Sequence, residues 1–393
     1  MEAKMKVQKA KPLSKEYLEE LGVNWHTDSD GSDYISDEII EISESEAQGF
    51  YDAANELYDM FIEAAQFVID KDLFFDLGIP FNLVEAIKES WENEVHWHLY
   101  GRFDLAGGLD GNPIKLLEFN ADTPTMVYES AIAQWAMLKQ NGFNESMQFN
   151  NLYEALADNF KRMITLGEDT SNFSEIYEGW KILFSSIAGS VEEERTVRLL
   201  EIIAKEAGFR TGFCYAHEAV LNAENGLSFN GENYEFWFKL IPWESIAVDE
   251  PELANLITEM ILNKNTIFLN PAYTLLFQSK RILKVLWDLF PHHPLLLETS
   301  YTPLNKKQAK KHAFGREGES VSILDASGNP IKANSGIYSN YPEIYQEFAT
   351  QNSHNGIFYQ PNVFYAYEAC ALGFRKGGEI LDNMSKFVSH RIK

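Results

Sequence analysis

The stretch that decides the fold reads YGRFD at residues 100–104 and LLEFNAD at residues 116–122. Because successive side chains of a β-strand point to opposite faces, each segment has one polar and one apolar face. The residues between them, at positions 109–112, read LDGN and are typical of a hairpin turn. We therefore predict an antiparallel hairpin whose apolar face carries Phe103, Leu117 and Phe119.

The other face of this hairpin collects Arg102, Asp104, Glu118 and Asn120. Cross-strand neighbours have Cβ atoms about 4.5–5.5 Å apart, a distance at which two carboxylates repel unless a cation lies between them. Mg²⁺ takes carboxylate and carbonyl oxygens together with substrate phosphates, and Arg102 could bind a phosphate or a carboxylate through two hydrogen bonds. The alternative is a solvated polar face in which Arg102 neutralises one of the acids.

The composition of the chain narrows the classes of function. The 393 residues carry a net charge of −26, which disfavours binding to nucleic acid and attracts cations such as metals and polyamines. The alternative is that this acidity serves solubility. The two cysteines, Cys214 and Cys370, are far apart and exclude a disulfide framework or a cysteine-rich zinc site. The chain shows no signal peptide and no apolar run of membrane-spanning length, so we expect a cytoplasmic location and no membrane partner.

Hydrophobic periodicity predicts several further elements. Apolar residues at helical spacing from Phe50 to Val68 predict an amphipathic helix, and Ser43 with Glu46 predicts a capping box at its start. Asn82 and Glu85 repeat this signal before a second helix. Strands at 181–188 and 210–215, separated by a helix at 191–207, indicate a parallel βαβ unit.

The C-terminal third of the chain differs in character. A helix is predicted over 273–289, and the last 85 or so residues indicate an antiparallel sheet. The chain has no Walker loop and no GxGxxG motif. Residues 310–323 read instead as a strand, a glycine-flanked loop and a returning strand, which could place backbone N–H groups over phosphates. The alternative is a plain hairpin. His96 and His98 have strand spacing for two metal ligands, but no further histidine or cysteine follows at a zinc-like distance.

The segment YGRFD, the hairpin and then LLEFNADTPT resemble the signature of the glutathionylspermidine synthase family. The resemblance extends over roughly residues 20–390, and we expect no amidase domain like that of the bifunctional members. It implies that Asp104, Glu118 and Asn120 hold Mg²⁺, that Arg102 and Asp104 contact ATP, and that Arg102 contacts the reacting phosphate or carboxylate.

Further blocks resemble the same family in the same order. They imply ATP contacts from Lys280, from Lys311, from the loop residues Glu317 and Gly318, and from Gln346 and Glu347 in a strand against the adenine. Arg375 would neutralise the transferred phosphoryl group. A substrate pocket would contain Glu192, Glu193 and Lys239. The alternative for the two glutamates is that they complement the dipole at a helix N-terminus. This sequence differs from the family pattern at two places. Lys311 is followed by His312, where the family has proline, and the segment around Arg375 is shorter than in the family.

The resemblance implies a mixed α+β and α/β fold, an ATP-grasp-like synthetase with an inserted α/β substrate domain of pre-ATP-grasp type. We predict three regions: N-terminal helices with the Mg²⁺-binding strands at 1–175, the substrate domain at 176–265 and the ATP-binding lobe at 266–393. The implied function is an ATP- and Mg²⁺-dependent carboxylate–amine ligase that acts on small molecules. It would join the carboxylate of a peptide or glutathione to a polyamine or another amine through an acyl-phosphate intermediate. The alternatives are a non-catalytic ATP-binding protein and a Mg²⁺-dependent phosphohydrolase.

Overall fold

The computed structural model describes residues 5–393. Its helices are α1 (Lys15–Glu20), α2 (Glu44–Asp70), α3 (Val84–Glu92), α4 (Gln134–Gln140), α5 (Leu152–Thr165), α6 (Phe173–Ile176), α7 (Val191–Glu206), α8 (Trp243–Asp249), α9 (Pro251–Leu262), α10 (Thr274–Gln278) and α11 (Ile282–Leu289). The first half of its strands comprises β1 (Lys6–Lys9), β2 (Ile35–Ile42), β3 (Gly101–Ala106), β4 (Lys115–Asn120), β5 (Lys181–Ser186), β6 (Arg210–Tyr215), β7 (Val220–Asn222), β8 (Gly226–Phe229), β9 (Glu232–Tyr234) and β10 (Phe236–Lys239). The second half comprises β11 (Ile267–Leu269), β12 (Thr299–Ser300), β13 (Gln308–His312), β14 (Ser322–Leu324), β15 (Pro330–Ala333), β16 (Glu343–Glu347), β17 (Asn352–His354), β18 (Ile357–Ala366), β19 (Glu368–Gly377) and β20 (Lys386–Ile392).

The largest sheet joins the two ends of the chain. Its order is β1-β2-β20-β19-β18-β3-β4, with β17 also paired to β18. The β2–β20 pair is parallel, and the other pairs are antiparallel. Strands from the predicted N-terminal region and the predicted ATP lobe therefore share one sheet. The pairings cross the boundaries predicted at 175/176 and 265/266, and β11 lies in the parallel sheet described below.

Helix α2 covers one face of the large sheet. The predicted capping box is confirmed: Ser43 Oγ accepts from the Glu46 N–H at 3.2 Å, and the Glu46 carboxylate accepts from the Ser43 N–H at 2.7 Å. The helix packs Phe61 against the hairpin rings Phe103 and Phe119, whose centroids are 3.9 Å apart in a parallel stack. Since burying one such side chain stabilises the fold by about 1.5–3 kcal/mol, this layer anchors the hairpin.

A four-stranded parallel sheet forms the predicted α/β region. Its order is β11-β10-β5-β6, and α7 is the crossover between β5 and β6, which confirms the βαβ unit. Helices α5 and α7 pack together, and α7 also lies on β5 and β6. The buried core here includes Phe160, Phe184, Leu200 and Phe238.

Two smaller antiparallel sheets complete the molecule. The five-stranded sheet has the order β12-β16-β13-β14-β15 and contains the predicted strand, loop and returning strand as β13 and β14. The other has the order β7-β8-β9. The predicted antiparallel pairing is thus confirmed for the strand pairs within the last 85 or so residues, whereas β20 also pairs in parallel with β2. Among residues 5–393, no helix combines the length and the apolar character needed to cross a lipid bilayer.

The hairpin contains a bulge that the alternation pattern does not predict. Asp104 pairs with Glu118, but Leu105 pairs with Leu116, so Leu117 is the extra residue. The prediction that Leu117 packs with Phe103 and Phe119 is therefore wrong. Leu117 packs beside Leu297 instead and lines the cleft described below.

The helix predicted over 273–289 is interrupted. Helix α10 ends at Gln278 and α11 begins at Ile282, because Ser279 has an extended backbone. Ser279 Oγ donates to the Leu77 carbonyl oxygen at 2.6 Å, and the Lys280 N–H donates to the Ala313 carbonyl oxygen at 2.8 Å. This break buries Lys280, a residue that the pattern alone would place on an exposed helix face.

The predicted cap at Asn82 is also wrong. A short 3₁₀ turn at Phe81–Leu83 precedes α3, and no side chain caps that helix. The Asn82 side-chain amide donates instead to the Ala247 carbonyl oxygen at 3.1 Å, which joins this turn to α8.

Replacing Ser43 with alanine should lower the free energy of unfolding by about 1 kcal/mol, because the substitution removes the cap of α2. Urea denaturation measures this change. The control Glu63→Ala, at an exposed position in the same helix, should change the same quantity by less than about 0.5 kcal/mol. Equal effects of the two substitutions would contradict a stabilising role for the cap.

Candidate functional site

A cleft of about 580 Å³ lies where the charged face of the β3–β4 hairpin meets the five-stranded sheet and the first turn of α7. All predicted site residues except Lys239 line this cleft. They are Arg102, Asp104, Glu118, Asn120, Glu192, Glu193, Lys280, Lys311, Glu317, Gly318, Gln346, Glu347 and Arg375. Folding thus brings together side chains from widely separated parts of the sequence.

Arg102 and Asp104 form a bidentate ion pair on β3. Arg102 Nε and Nη2 donate to the two Asp104 carboxylate oxygens at 2.8 and 3.1 Å, and Nη1 donates to the Thr125 carbonyl oxygen at 3.0 Å. Both charged side chains are buried. Burial lowers the pKa of Arg102, but Asp104 and Glu118 outweigh burial and hold that pKa above its usual value. The guanidinium is therefore a permanent cation in the cleft.

Glu118 lies directly across the hairpin from Asp104 and is surrounded by cations. Lys280 Nζ is 3.1 Å from one Glu118 carboxylate oxygen, and it also donates to the Gly315 carbonyl oxygen at 2.5 Å. Burial alone would raise the pKa of Glu118, but Lys280, Lys311 and Arg102 bring it down to about 2. Glu118 is therefore ionised at neutral pH.

Lys311, on β13, also lies close to Glu118 and Lys280. Its ammonium group donates to Gln346 Oε1 at 2.9 Å and to the Leu117 carbonyl oxygen at 3.0 Å. Burial lowers the pKa of Lys311 to about 8, with a further contribution from Lys280, although Glu118 acts in the opposite direction. A lysine with this pKa is mostly charged at neutral pH and loses its proton in the mildly alkaline range.

Strand β16 supplies Gln346 and Glu347. The Gln346 amide donates to the Leu116 carbonyl oxygen at 3.0 Å and so joins this strand to the hairpin. The Glu347 N–H donates to the Glu298 carbonyl oxygen at 2.8 Å, and the Glu347 carboxylate lies 3.4 Å from Lys306. The Glu347 N–H is therefore used within the protein, and the Glu347 carboxylate is paired with Lys306.

The glycine-flanked loop is anchored on both sides. Arg316 donates to Glu244 Oε1 at 2.6 Å and to Thr123 Oγ1 at 3.0 Å. Gly318 has φ +66°, and a Cβ atom there would lie 1.9 Å from the Leu381 carbonyl oxygen. Only glycine permits this close approach without displacing one of the two segments.

Glu192 and Glu193, in the first turn of α7, form another wall of the cleft. The Glu193 N–H donates to the cap residue Ser190 at 3.4 Å, so the predicted position at a helix N-terminus is confirmed. Burial raises the pKa of Glu192 to about 8, and the nearby carboxylates of Glu129, Glu193 and Glu317 add to this effect. Burial also raises the pKa of Glu193. This wall therefore holds carboxyl groups that a bound cation would favour in their ionised form.

Arg375 lies near that acidic wall, on β19. Its Nη2 donates to the Asp382 carbonyl oxygen at 2.5 Å, which holds the side chain against the segment after β19. Its Nε is buried without a hydrogen-bond partner among the residues that the structure describes. Arg375 therefore retains a donor for a ligand in the cleft.

The structure does not place Lys239 in the cleft, contrary to its predicted role as a substrate contact. Its side chain is fully buried, lies 3.6 Å from Asp122 and donates to the Ile241 carbonyl oxygen at 2.7 Å. Its ammonium group also lies 3.9 Å from the centre of the Trp243 ring. Asp122 has a pKa of about 6, mainly because of burial. Lys239 thus compensates a buried acid at the junction of β10 and α8.

Sequence reasoning missed two buried polar residues beside the cleft. Asn362 on β18 donates to Asp104 Oδ1 at 2.8 Å, and Glu129 accepts from Trp25 Nε1 at 2.9 Å. Glu129 lies in a π-helical turn, an irregularity common at functional sites. Glu129 is the one charged residue between Asp122 and Lys139, which is a signal that could have revealed it. Asn362 follows Gln360 and Pro361 and carries no comparable signal.

The sheets and this cleft define an ATP-grasp-like synthetase fold. The solved structure of a glutathione synthetase-like effector from Globodera pallida covers 97% of this chain and 98% of its own, with a TM-score of 0.57. Its sequence identity is 9%, so this likeness concerns the fold alone. Residues 5–393 match the family described as glutathionylspermidine synthase preATP-grasp, and the chain belongs to this family.

Two curated relatives show how far the similarity extends. A Haemophilus influenzae protein named as a candidate acid–amine ligase is 30% identical over 379 residues, which cover 92% of each chain. The bifunctional glutathionylspermidine synthetase/amidase of Escherichia coli is 25% identical over 335 residues, or 78% of this chain. The matched region spans 51% of that Escherichia coli protein.

Replacing Lys239 with methionine should lower the free energy of unfolding by about 3–5 kcal/mol, because it leaves the buried Asp122 carboxylate without its cation. The control Lys181→Met removes a partly exposed ion pair with Glu232 and should cost at most about 1 kcal/mol. Urea denaturation compares the two variants. If Lys239→Met had wild-type stability but bound substrate more weakly, the result would support the original prediction that Lys239 contacts the substrate.

Proposed function

We propose that this protein is an ATP- and Mg²⁺-dependent ligase that joins the carboxylate of a peptide such as glutathione to a polyamine or another amine. The observation that carries this proposal is that one cleft gathers two different sets of charged groups. Arg102, Lys280 and Lys311 lie with the carboxylates of Asp104 and Glu118, a set suited to phosphates, a substrate carboxylate and Mg²⁺. Glu192 and Glu193, from the first turn of α7, add carboxyl groups suited to an ammonium group. The names of the relatives support the same reaction class.

The hairpin residues fit Mg²⁺ by their chemistry. Asp104 and Glu118 lie directly opposite each other, and Asn120 adds an amide oxygen on the same strand as Glu118. Ionised carboxylate oxygens accept more than one contact, so both acids keep acceptor capacity beside Arg102 and Lys280. Within residues 5–393 no group of three or more His, Cys, Asp or Glu side chains could hold a metal. The protein would therefore supply part of the coordination and the nucleotide phosphates the rest.

Mg²⁺ bound there would screen the charge of the phosphates. In the proposed arrangement Lys280 and Lys311 hold the phosphates from one side, and the loop at Glu317 and Gly318 covers them. Gln346 and Glu347 would contact the base. These side chains are held by contacts within the protein before any ligand binds, so they need little rearrangement to stabilise developing charge.

The proposed reaction has two steps. An oxygen of the substrate carboxylate attacks the γ-phosphorus of ATP, and the bond from that phosphorus to the bridging oxygen of ADP breaks. Arg102 and Arg375 neutralise charge on the transferred group. The amine nitrogen then attacks the acyl carbon, the carbon–oxygen bond to phosphate breaks, and phosphate leaves with the electron pair. The amine must react uncharged, and Glu192 or Glu193 would accept its proton.

An ADP-release assay with glutathione and spermidine tests this proposal. Wild-type protein should release ADP only when ATP, Mg²⁺, the peptide and the amine are all present. Glu118→Gln should abolish release, because it removes the charge of a predicted metal ligand while keeping its shape. The control Asp110→Asn alters an exposed acid in the turn of the same hairpin and should retain wild-type turnover.

Two outcomes of this assay would contradict the ligase. Phosphate release that needs no amine would indicate a Mg²⁺-dependent phosphohydrolase using the same carboxylates. Binding of ATP without release of ADP, across a panel of thiol peptides and polyamines, would indicate a non-catalytic nucleotide-binding protein.

The affinity for ATP should depend on pH through Lys311. Its pKa in the free protein is about 8, and a bound phosphate raises it, so the affinity should be constant below pH 8 and fall by about tenfold per pH unit above it. Calorimetric titrations between pH 7 and 9.5 measure this decline. In Lys311→Arg the decline should disappear, because guanidinium stays charged throughout. The same decline in that variant would assign it to another group.

A further inference from the structure

A second cavity, of about 710 Å³, shares no lining residue with the cleft. Aromatic rings from separate parts of the chain line it: from α2, the end of α3, the loop before β3, the start of α10 and the end of β18. We call this cavity the aromatic pocket. Its rings are Tyr58, Trp91, Trp97, Tyr273, Tyr365 and Tyr367.

The charged side chains that line the aromatic pocket are acidic. Asp59 and Glu94 line it with exposed carboxylates, and among the described residues that line it there is no lysine or arginine. His96 and His98 also line it, and burial lowers the pKa of each to about 4, so both are neutral at pH 7. The pocket therefore attracts cations and repels anions, in agreement with the net charge of −26 of the whole chain.

One polar group in the wall has no partner. The His96 side chain is 95% buried, at 5% exposure, and its Nδ1 makes no hydrogen bond with any residue that the structure describes. His98 is different, because its Nε2 donates to the Ala121 carbonyl oxygen at 3.1 Å and its Nδ1 accepts from the Tyr58 hydroxyl at 3.1 Å. A buried polar atom without a partner in a cavity wall points to a ligand or a water molecule that completes it.

Arg162 already occupies one ring at the edge of the pocket, so Tyr367 is not available to a ligand cation. The Arg162 guanidinium lies 4.4 Å from the centre of the Tyr367 ring. The faces of tyrosine and tryptophan rings attract cations, most strongly those that are weakly hydrated. Alkylated ammonium groups have this property, and they also gain from apolar contact with the rings.

The pocket lies behind the strands that carry the candidate metal ligands. Tyr58 packs edge-to-face on Phe119 with centroids 6.2 Å apart, and Phe119 points away from Asp104 and Glu118 across the hairpin. His98 contacts the backbone of Ala121, directly after β4. A ligand here would be separated from the cleft by the sheet itself, so the two sites can be tested independently.

We propose that the aromatic pocket is a binding site for a small organic cation with an alkylated ammonium group. The rings of Trp91, Trp97 and Tyr273 would contact the ammonium group, because Tyr58 and Tyr365 are stacked on each other with centroids 3.9 Å apart. The carboxylates of Asp59 and Glu94 would compensate its charge, and His96 Nδ1 would bond a hydroxyl group that the ligand carries. Nothing in this site depends on the proposed ligase activity.

Calorimetric titration of choline into the full chain tests this site, since choline combines a trimethylammonium group with a hydroxyl group. Its uncharged isostere 3,3-dimethylbutan-1-ol serves as the matched ligand. We expect saturable binding of choline at one site and about tenfold or greater weakening for the isostere. Equal binding of the two ligands, or no saturable binding of choline, would overturn the proposal.

Two pairs of variants locate the bound choline. Trp91→Leu and Asp59→Asn should each weaken choline binding by about threefold to tenfold. The control Trp135→Leu removes a tryptophan that packs on Lys139 elsewhere, and the control Asp52→Asn alters an exposed acid seven residues earlier on α2. Both controls should bind choline like the wild type. Weakening by the controls equal to that by the pocket variants would refute the site.

A cleft variant separates the two sites. Glu192→Gln should leave choline binding unchanged, because Glu192 lines only the cleft. Loss of binding in Glu192→Gln but not in Asp59→Asn would place choline in the cleft and overturn the proposal. Circular dichroism checks the fold of each variant. If Trp91→Leu is unfolded, choline binding by Asp59→Asn, whose substitution lies at an exposed position, tests the site.

Discussion

The ionised, half-buried carboxylate of Glu118 is the feature on which the cleft depends. Strand β4 carries it, the break between α10 and α11 brings the buried Lys280 to it, and β13 brings Lys311. Partial burial without such cations would disfavour the ionised carboxylate, and a buried lysine without the carboxylate would be unfavourable, so these three elements stabilise one another's positions. Their assembly leaves a cluster of oriented positive charges, and such preorganised charges bind phosphates with little reorganisation.

A second buried network joins the parallel sheet to the same cleft. Asp122 follows β4, accepts from the Trp243 N–H at 2.9 Å and compensates Lys239 at the end of β10. Arg316 in the glycine-flanked loop reaches Glu244 in the neighbouring helix α8. These contacts connect the hairpin, the α/β region and the glycine-flanked loop around Asp122 and Glu244. The cleft forms at this junction, which is why sheet pairings cross the domain boundaries that the sequence suggests.

Local patterns predicted an element correctly where its own side chains decide its structure. Helix α2 has its capping box and a continuous apolar stripe, and the unit from β5 to β6 has the spacing of a parallel crossover. The patterns failed where distant groups compete for the backbone. The Leu116 N–H donates to the Leu295 carbonyl oxygen, and its own carbonyl accepts from Gln346, so β4 bulges at Leu117. Ser279 similarly contacts Leu77 and interrupts a helix that periodicity would continue.

Apart from Leu117 at the bulge, alternation along the strands was enough to predict the two faces of the hairpin. The family-like motifs predicted the candidate charged residues of the cleft, because motifs and alternation are local features of the chain. The burial of Lys280 beside Glu118, the support of Asp104 by Asn362 and the place of Lys239 outside the cleft depend on the folded molecule. Burial and charge compensation depend on which distant segments meet. That meeting is set by the packing of whole sheets and helices, and no local pattern contains it.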